Sequence, residues 1–404
     1  MRPERERQLS DEFFRLYTNK QTSAAAEPRF QSTAIYSDHA YMREERQSLF
    51  RGRPLVFCLS GEVAEPGDYV AADLDGLPVV VIRGKDGILR ALVNMCTHRG
   101  SRVFTDERGT VRGRGVSCPF HAWTFDTQGT LLSQPRSHDG FADCAAEGRS
   151  MRQLDVFERH GVVFVTPTAA DEKAGRDNID AESIFGGADD DIRDLALEKC
   201  VHFGSATRTM PLNWKLVIDT FLEAYHVFAL HKDSLATRQL SSPCLFEDMG
   251  PVGLVIGVRK TIVEEREKDP AERLFSPHAT LQYIVYPNVI ISHQIDHIET
   301  WRVFPGATPD EAVVTTSIYS YGNDIDERTQ RYLRRSIEVL MDVTDKEDFP
   351  QVIQTQRGLM AGGAKEFVFG RNEPGLIAYH DWLDRAVPVP RRDLGEQPRK
   401  EEVA

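Results

Sequence analysis

Cysteine is scarce in this chain, with six in 404 residues. A disulfide framework is therefore excluded, and each cysteine has to be read for packing or chemistry. Long apolar runs are also missing: nothing approaches the ~20 residues of a membrane span. The opening M-R-P-E-R-E-R-Q-L-S-D-E is too charged for the apolar core of a signal peptide, so a cytoplasmic chain without a membrane partner is expected. Positive charge is in deficit. Forty-nine Lys and Arg against 62 Asp and Glu leave a net charge of −13, which argues against nucleic acid as a partner. No G-x-G-x-x-G fingerprint occurs, so any NAD(P)H would act only indirectly, through a partner protein. The length suits two or three domains, and 41% hydrophobic with 27% charged residues describes an ordinary globular chain.

Against that scarcity, two cysteines stand beside histidines. Cys96-Thr-His98 and Cys118-Pro-Phe-His121 are separated by nineteen residues. A Rieske 2Fe–2S centre takes two thiolates on one iron and two imidazoles on the other, and each motif supplies one ligand to each iron. A structural zinc site is the competing reading, but zinc sites pair Cys with Cys and His with His. The interleaved order favours the 2Fe–2S cluster on Cys96, His98, Cys118 and His121. Cys58, Cys144, Cys200 and Cys244 show no motif spacing and are expected to be buried thiols. Arg99, Arg102, Arg112 and Arg114 lie within or between the ligand motifs, either as solvated surface or as a docking patch for an acidic electron donor.

The texture of the chain predicts three regions. Residues 1–45 read as a polar N-terminal segment with helix around Leu9–Tyr17. Residues 46–168 read as short strands punctuated by Gly, Asp and Pro, among them Leu55–Leu59, Leu77–Arg83 and Leu89–Asn94. The acidic stretch Ala169–Asp194 reads as a connection. It opens the third region, 169–404, which mixes helices with β-branched and aromatic runs. Helices are expected over Trp214–Leu230, Asp326–Thr344, Val352–Met360 and near Gly375–Arg385, and strands over Val252–Arg259, Ala279–Val285, Val289–Ile295, Glu299–Phe304 and Ala312–Tyr319. The fold class is α+β: an N-terminal all-β domain joined to an antiparallel sheet with covering helices.

The second motif is Asn213–His231, N-W-K-L-V-I-D-T-F-L-E-A-Y-H-V-F-A-L-H. His226 and His231 are five apart, about 140° around a continuous helix, so the helix is expected to end or distort between them if both are to face one metal. His293 and His297, in I-S-H-Q-I-D-H, are placed on one strand face, where they are ordinary strand histidines or line a cavity.

With these motifs in order, the chain resembles the catalytic α subunit of the Rieske non-haem iron oxygenases, the aromatic ring-hydroxylating family. The resemblance rests on C-T-H-R-G, C-P-F-H-A-W and N-W-K…E-A-Y-H-x4-H. It implies a Rieske β-sandwich joined to a helix-grip catalytic domain, assembled as a head-to-tail homotrimer. It implies a mononuclear Fe(II) on His226, His231 and a carboxylate, a facial triad with open positions. The K-E-D-F-P-Q-V-I-Q-T-Q-R-G-L segment resembles the family's late-carboxylate region, which gives Asp348 as third ligand, with Asp342, Asp345 and Glu347 as competitors. Glu223, by the same resemblance, bridges the two centres by contacting His226 and His98 or His121 of a neighbouring subunit. Asp219 is expected to make a supporting hydrogen bond.

Around the cluster loops, Ser101, Phe120, Ala122, Trp123 and Phe125 stand where respiratory Rieske proteins carry two further cysteines and a Tyr hydroxyl. Fewer hydrogen bonds to the cluster sulfurs favour a lower potential. The expected function is an oxygenase component that uses O2, with electrons from a ferredoxin or flavin reductase, to oxidise a small organic substrate. Monooxygenation (hydroxylation or oxidative demethylation) without a β subunit is favoured, and cis-dihydroxylation of an arene is the alternative. A Rieske electron-transfer protein without oxygenase activity is the rival from another class.

Overall fold

The computed structural model describes residues 1–141, 148–169, 181–322 and 325–387. Cys144 and residues 170–180 of the stretch read as a connection lie outside the described residues. No helix among them is long and apolar enough to cross a membrane. The chain folds as two compact units: Phe50–Ser183 with Ala196–Val201, and Met1–Leu49 with Ile184–Leu195 and His202–Ala404.

The N-terminal segment holds α1 (Pro3–Asn19), β1 (Arg29–Ser32) and α2 (His39–Glu45). Proline opens α1, where its missing N–H costs nothing, and Lys20 closes it in the left-handed conformation. The buried Arg5 ties α1 to Asp191 at 2.9 Å and to Glu247 at 2.6 Å.

The first unit is all β. Strands β2 (Leu55–Leu59), β3 (Asp68–Leu74), β4 (Leu77–Arg83), β5 (Leu89–Val93), β6 (Arg108–Thr110), β10 (Gln153–Arg159) and β11 (Val162–Ala169) form a seven-stranded antiparallel sheet in the order β2-β11-β10-β5-β4-β3-β6. The short strands β7 (Val116–Ser117), β8 (Thr124–Phe125) and β9 (Leu131–Ser133) make a separate three-stranded sheet. Val80, Ile82 and Leu92 from the large sheet pack in one core with Phe104, Trp123, Phe125, Cys96 and Cys118. The two sulfurs are thus fixed by the same apolar contacts that stabilise the unit.

In the second unit the connection gives way to the helix α3 (Asp189–Asp194), and β12 (Cys200–Met210) follows. Helix α4 (Trp214–Phe221) and the single turn α5 (Val227–Leu230) precede β13 (Leu245–Asp248), β14 (Val252–Val258), β15 (Ala279–Val285), β16 (Val289–His293), β17 (His297–Pro305) and β18 (Ala312–Tyr321). These seven strands form one antiparallel sheet, ordered β12-β18-β17-β16-β15-β14-β13. Helices α6 (Glu327–Val343) and α7 (Phe349–Met360), strand β19 (Glu366–Phe369) paired with β1, and α8 (Pro374–Ala386) complete the unit. The architecture is α+β, as expected.

Two expectations need correction. The segment Trp214–Leu230 is not one helix. It breaks before His226, not between the histidines, because α4 ends at Phe221 and Leu222 caps it. The backbone of α8 presses on that cap: a Cβ on Gly375 would stand 2.3 Å from the Leu222 carbonyl oxygen. Glu223 then starts the next turn by accepting the His226 amide at 3.1 Å. His293 and His297 do not share a strand; β16 ends on the first and β17 begins on the second.

Candidate functional site

In the first unit, the two ligand motifs form a pair of matching loops. The Cys96 amide donates to the Ser101 carbonyl at 2.7 Å, and Gly100 N–H returns to the Cys96 carbonyl at 2.9 Å. Correspondingly, Cys118 N–H donates to the Trp123 carbonyl at 2.7 Å, and Ala122 N–H returns to Cys118 at 2.9 Å. Four residues after each cysteine the backbone enters the left-handed region, at Gly100 (φ 82°) and Ala122 (φ 58°). His98 stacks on Trp123 at 4.9 Å and meets His121 edge-on at 4.6 Å between ring centroids.

Amides two and three residues after each cysteine point at its sulfur. Burial pushes the Cys96 thiol up despite the amides of His98 and Arg99. Burial would raise Cys118 as well, but the amides of Phe120 and His121 outweigh it and hold that thiol below its ordinary value. The Ser101 hydroxyl adds to the lowering of Cys118, so one hydroxyl serves a sulfur even though the Tyr hydroxyl of respiratory Rieske proteins is missing. The ring nitrogen Nδ1 of His98 is buried without a hydrogen-bond partner. Two sulfurs that each face backbone N–H donors and an orphaned imidazole nitrogen fit a Rieske cluster.

The first loop is anchored by Asn94, a residue that carried no sequence signal. Its amide oxygen accepts from Val103 N at 3.0 Å and Phe104 N at 2.9 Å, and its amide nitrogen donates to the Phe104 carbonyl at 2.8 Å. Of the four arginines, Arg102 is paired with Asp73 at 2.7 Å, and Arg99 lies over the exposed Phe120 ring at 4.9 Å.

In the second unit His226, His231 and Asp348 converge, with one ligand atom from each within 4.8 Å of the others. Asp348 Oδ1 lies 3.0 Å from His231 Nε2 and 3.6 Å from His226 Nε2, yet it is buried and accepts no hydrogen bond. Each imidazole is held from behind by a carboxylate. Glu223 Oε1 meets His226 Nδ1, and Glu347 Oε2 takes His231 Nδ1 at 2.6 Å while also accepting from the Ser234 hydroxyl at 2.6 Å. Such partners fix each ring with Nε2 toward the common point. Burial would lower His231, but the carboxylates of Asp348 and Glu347 hold it above the usual imidazole range, so the site attracts positive charge. Two nitrogens and an unsatisfied carboxylate oxygen facing one point fit a metal with open positions.

Asp348 owes its position to a π-helical turn, Thr344–Asp348, wound between α6 and α7; such widened turns are frequent at functional sites. Among the competing acids, Glu347 stands behind His231, Asp345 pairs with Arg208, and Asp342 pairs with Lys346 at 2.9 Å. Asp219 makes its hydrogen bonds beneath α4, to the Tyr36 hydroxyl at 2.7 Å and His380 Nε2 at 2.9 Å. Cys58 and Cys200 are buried as expected, whereas Cys244 is only partly so.

The triad opens on a cavity of about 360 Å³ lined by Phe221, Val227, Leu235, Gln282, Val339 and Phe349 among others. His297 and Glu299 also line it, and His293 does not.

Residues 53–164 match the family described as the Rieske [2Fe-2S] domain, and residues 197–388 match the ring hydroxylating alpha subunit (catalytic domain). The chain is 34% identical over 201 residues to the carnitine monooxygenase oxygenase subunit of Acinetobacter pittii (strain PHEA-2), a match covering 49% of this chain and 51% of that protein. The chain thus spans about half the length of the curated relatives it matches first. It is also 28% identical over 404 residues to the glycine betaine monooxygenase oxygenase subunit of Pseudomonas aeruginosa (strain UCBPP-PA14), covering 90% of this chain and 89% of the other. Among solved structures, the quaternary ammonium Rieske monooxygenase CntA in complex with L-carnitine superposes with a TM-score of 0.73 at 22% identity, covering 90% of this chain and 96% of that one, which shows the shared fold.

Proposed function

The chain belongs to the Rieske non-haem iron oxygenases as a catalytic alpha subunit, and from that membership we propose that it inserts one oxygen atom of O2 into a small polar organic molecule. Electrons come singly from a separate ferredoxin or flavin reductase. The observation that carries this reading is the convergence of His226, His231 and the unsatisfied Asp348 oxygen on one point at the cavity wall.

When bound, the 2Fe–2S cluster supplies single electrons and the mononuclear iron supplies O2 activation. Cys96, His98, Cys118 and His121 are the residues that would hold the first group; His226, His231 and Asp348 would hold the second. Glu223 and Glu347 keep the Nδ1 protons of the two histidines, so Nε2 of each stays free to bind. Phe221, Val227 and Phe349 give the cavity apolar walls that exclude bulk water.

The substrate class leans away from arenes, because the relatives named above carry out monooxygenation of carnitine and glycine betaine by their names. The ring-hydroxylating description of the catalytic domain keeps cis-dihydroxylation as the second reading. A head-to-tail homotrimer is part of the proposal. In it Glu223 also receives His98 or His121 of the neighbouring subunit. The exposed Tyr225 and Phe228 beside His226, and Met95 and Phe120 beside the cluster ligands, are the apolar surfaces such contacts would cover.

Iron analysis with product analysis tests the reading. The loaded protein should hold three irons per chain, and turnover of a small ammonium compound under ¹⁸O2 should place one labelled atom in the product. Two irons per chain at full loading would sink the oxygenase reading, and two labelled atoms in one product would shift it to dihydroxylation.

A further inference from the structure

Beyond the triad, the cavity floor carries an ionic group on β17. His297 and Glu299 sit on alternate positions of β17, each only 4% exposed, and both line the cavity. The next residue on that face, Trp301, is fully buried and packs against Phe221 at 5.1 Å and Phe349 at 6.3 Å, beside Asp348. Successive same-face residues of a strand stand ~6.6 Å apart. The cavity wall therefore runs from the triad across Phe221 and Phe349 to Glu299, then to His297.

Both nitrogens of His297 face carboxylates: Nδ1 meets Asp296 Oδ1 at 2.7 Å and Nε2 meets Glu299 Oε1 at 3.3 Å. A neutral imidazole has one N–H only, so serving both acids requires the imidazolium. The imidazolium and Glu299 then form a buried pair, and the half-exposed Asp296 brings the net charge of the group to −1. Among the described residues His297 is the only cation paired with Glu299. Gln294 donates to the second oxygen, Oε2, at 3.1 Å and fixes the carboxylate against the floor. A cavity wall of net negative charge favours a ligand head of opposite sign. The cationic side chains that also line the cavity, Arg238, Arg259 and Arg335, are exposed or half-buried, and Arg335 is already paired with Glu338 at 3.0 Å. They suit the solvent-facing, anionic end of a ligand.

From this layout we infer that Glu299, braced by His297 and Gln294, is the specificity-determining anchor for the cationic head of an organic ammonium substrate. The inference rests on the reading of this cavity as the substrate site. Glu299 selects charge. His297 and Gln294 are positioning residues that act through it.

The test is a binding comparison on the anaerobic, cluster- and iron-loaded enzyme. The probes are gamma-butyrobetaine and its carbon isostere 5,5-dimethylhexanoate, which differ only in the charge of the head. The enzyme should prefer the betaine by about tenfold or more. Glu299→Gln should weaken betaine binding by about tenfold and leave the isostere unchanged, so the preference collapses. Asp296→Asn, at a half-exposed position, should reduce the preference in the same direction and serves if Glu299→Gln fails to fold. Equal binding of the two probes to the parent enzyme, no binding of either, or a preference that survives both variants would overturn the inference. Binding is read without turnover, so an enzyme that lacks the third iron fails the oxygenase reading separately.

Discussion

Glu223 holds His226 twice, through the backbone and through the ring. Its Oε2 accepts the His226 amide at 3.1 Å, and its Oε1 faces Nδ1 of the same residue. One carboxylate therefore starts the turn that carries the histidine and sets the direction of its imidazole. The two jobs follow from the break at Leu222, since on an unbroken helix the His226 amide would be taken by a backbone carbonyl.

Replacing Glu223 by Ala should loosen the mononuclear site while the cluster itself stays assembled. Removal of a carboxylate behind a ligating histidine costs about 10–100-fold in metal affinity or activity. Iron per chain should fall towards two while the visible absorbance of the cluster stays. An unchanged iron content and rate would show that the contact is structural only.

Asp348→Ala should be more severe, because it removes the one carboxylate oxygen that faces both histidines. The expected protein folds, keeps its cluster colour, holds two irons per chain and does not turn over. If Asp348→Ala retains the third iron, Glu347 is the ligand in its place.

Asn94 sits at 1% exposure with three hydrogen bonds into the backbone of the first cluster loop. Asn94→Ala strands two amides and a carbonyl, at a cost of about 1–3 kcal/mol for each group left buried without a partner. Chemical denaturation should show the loss, accompanied by faster bleaching of the cluster. A stability within about 0.5 kcal/mol of the parent, the usual range for a neutral surface change, would show that water replaces the side chain.

The N-W-K motif buries its lysine. Lys215 and Glu45 pair at 2.5 Å with both side chains inaccessible. Burial pushes the Lys215 ammonium down and the Glu45 carboxyl up. Breaking one half should cost about 3–5 kcal/mol, whereas replacing both by apolar residues of similar volume should recover most of it. Urea unfolding of Lys215→Met, Glu45→Leu and the double variant measures this. Equal effects of the single and double variants would refute the coupling.

His297 makes stability pH-dependent. Burial would lower it, but the carboxylates of Asp296 and Glu299 raise it to about 9, against an ordinary value of 6.5. Its stabilising charge is fully present below the unfolded value and is lost as pH rises through the folded one. Unfolding free energy should therefore fall between about pH 6.5 and 9, and His297→Gln should flatten that slope. A parent profile that is flat over this window would contradict the imidazolium.

How much was legible in the chain depended on the range of the interactions. The two Cys-and-His motifs could be read because their four donors lie in two short loops whose geometry is local. His226, His231 and Asp348 could be read as residues, but the place of the helix break could not. It depends on Gly375 approaching Leu222 from far along the sequence. Strand β12 escaped notice because it is a sheet edge with a polar, partly exposed face, C-V-H-F-G-S-A-T-R-T-M. Strands β1 and β19 are four residues each and exist only by pairing with one another. Glu299 gave no signal, because a single acid in a β-branched run looks like a solvent-facing residue until the cavity beneath it is known.

The twin loops around Gly100 and Ala122 have one more consequence. Each carries one sulfur and one nitrogen donor, and the two kinds of donor go to different metal ions. Neither loop can therefore hold a finished half of the group by itself. A chain that has closed only one of them offers a single donor to each metal ion, so retention of the cluster requires both. Colour in the purified protein is then a report on folding: it appears only where the Asn94 end and the Trp123 end of the unit have come to rest together.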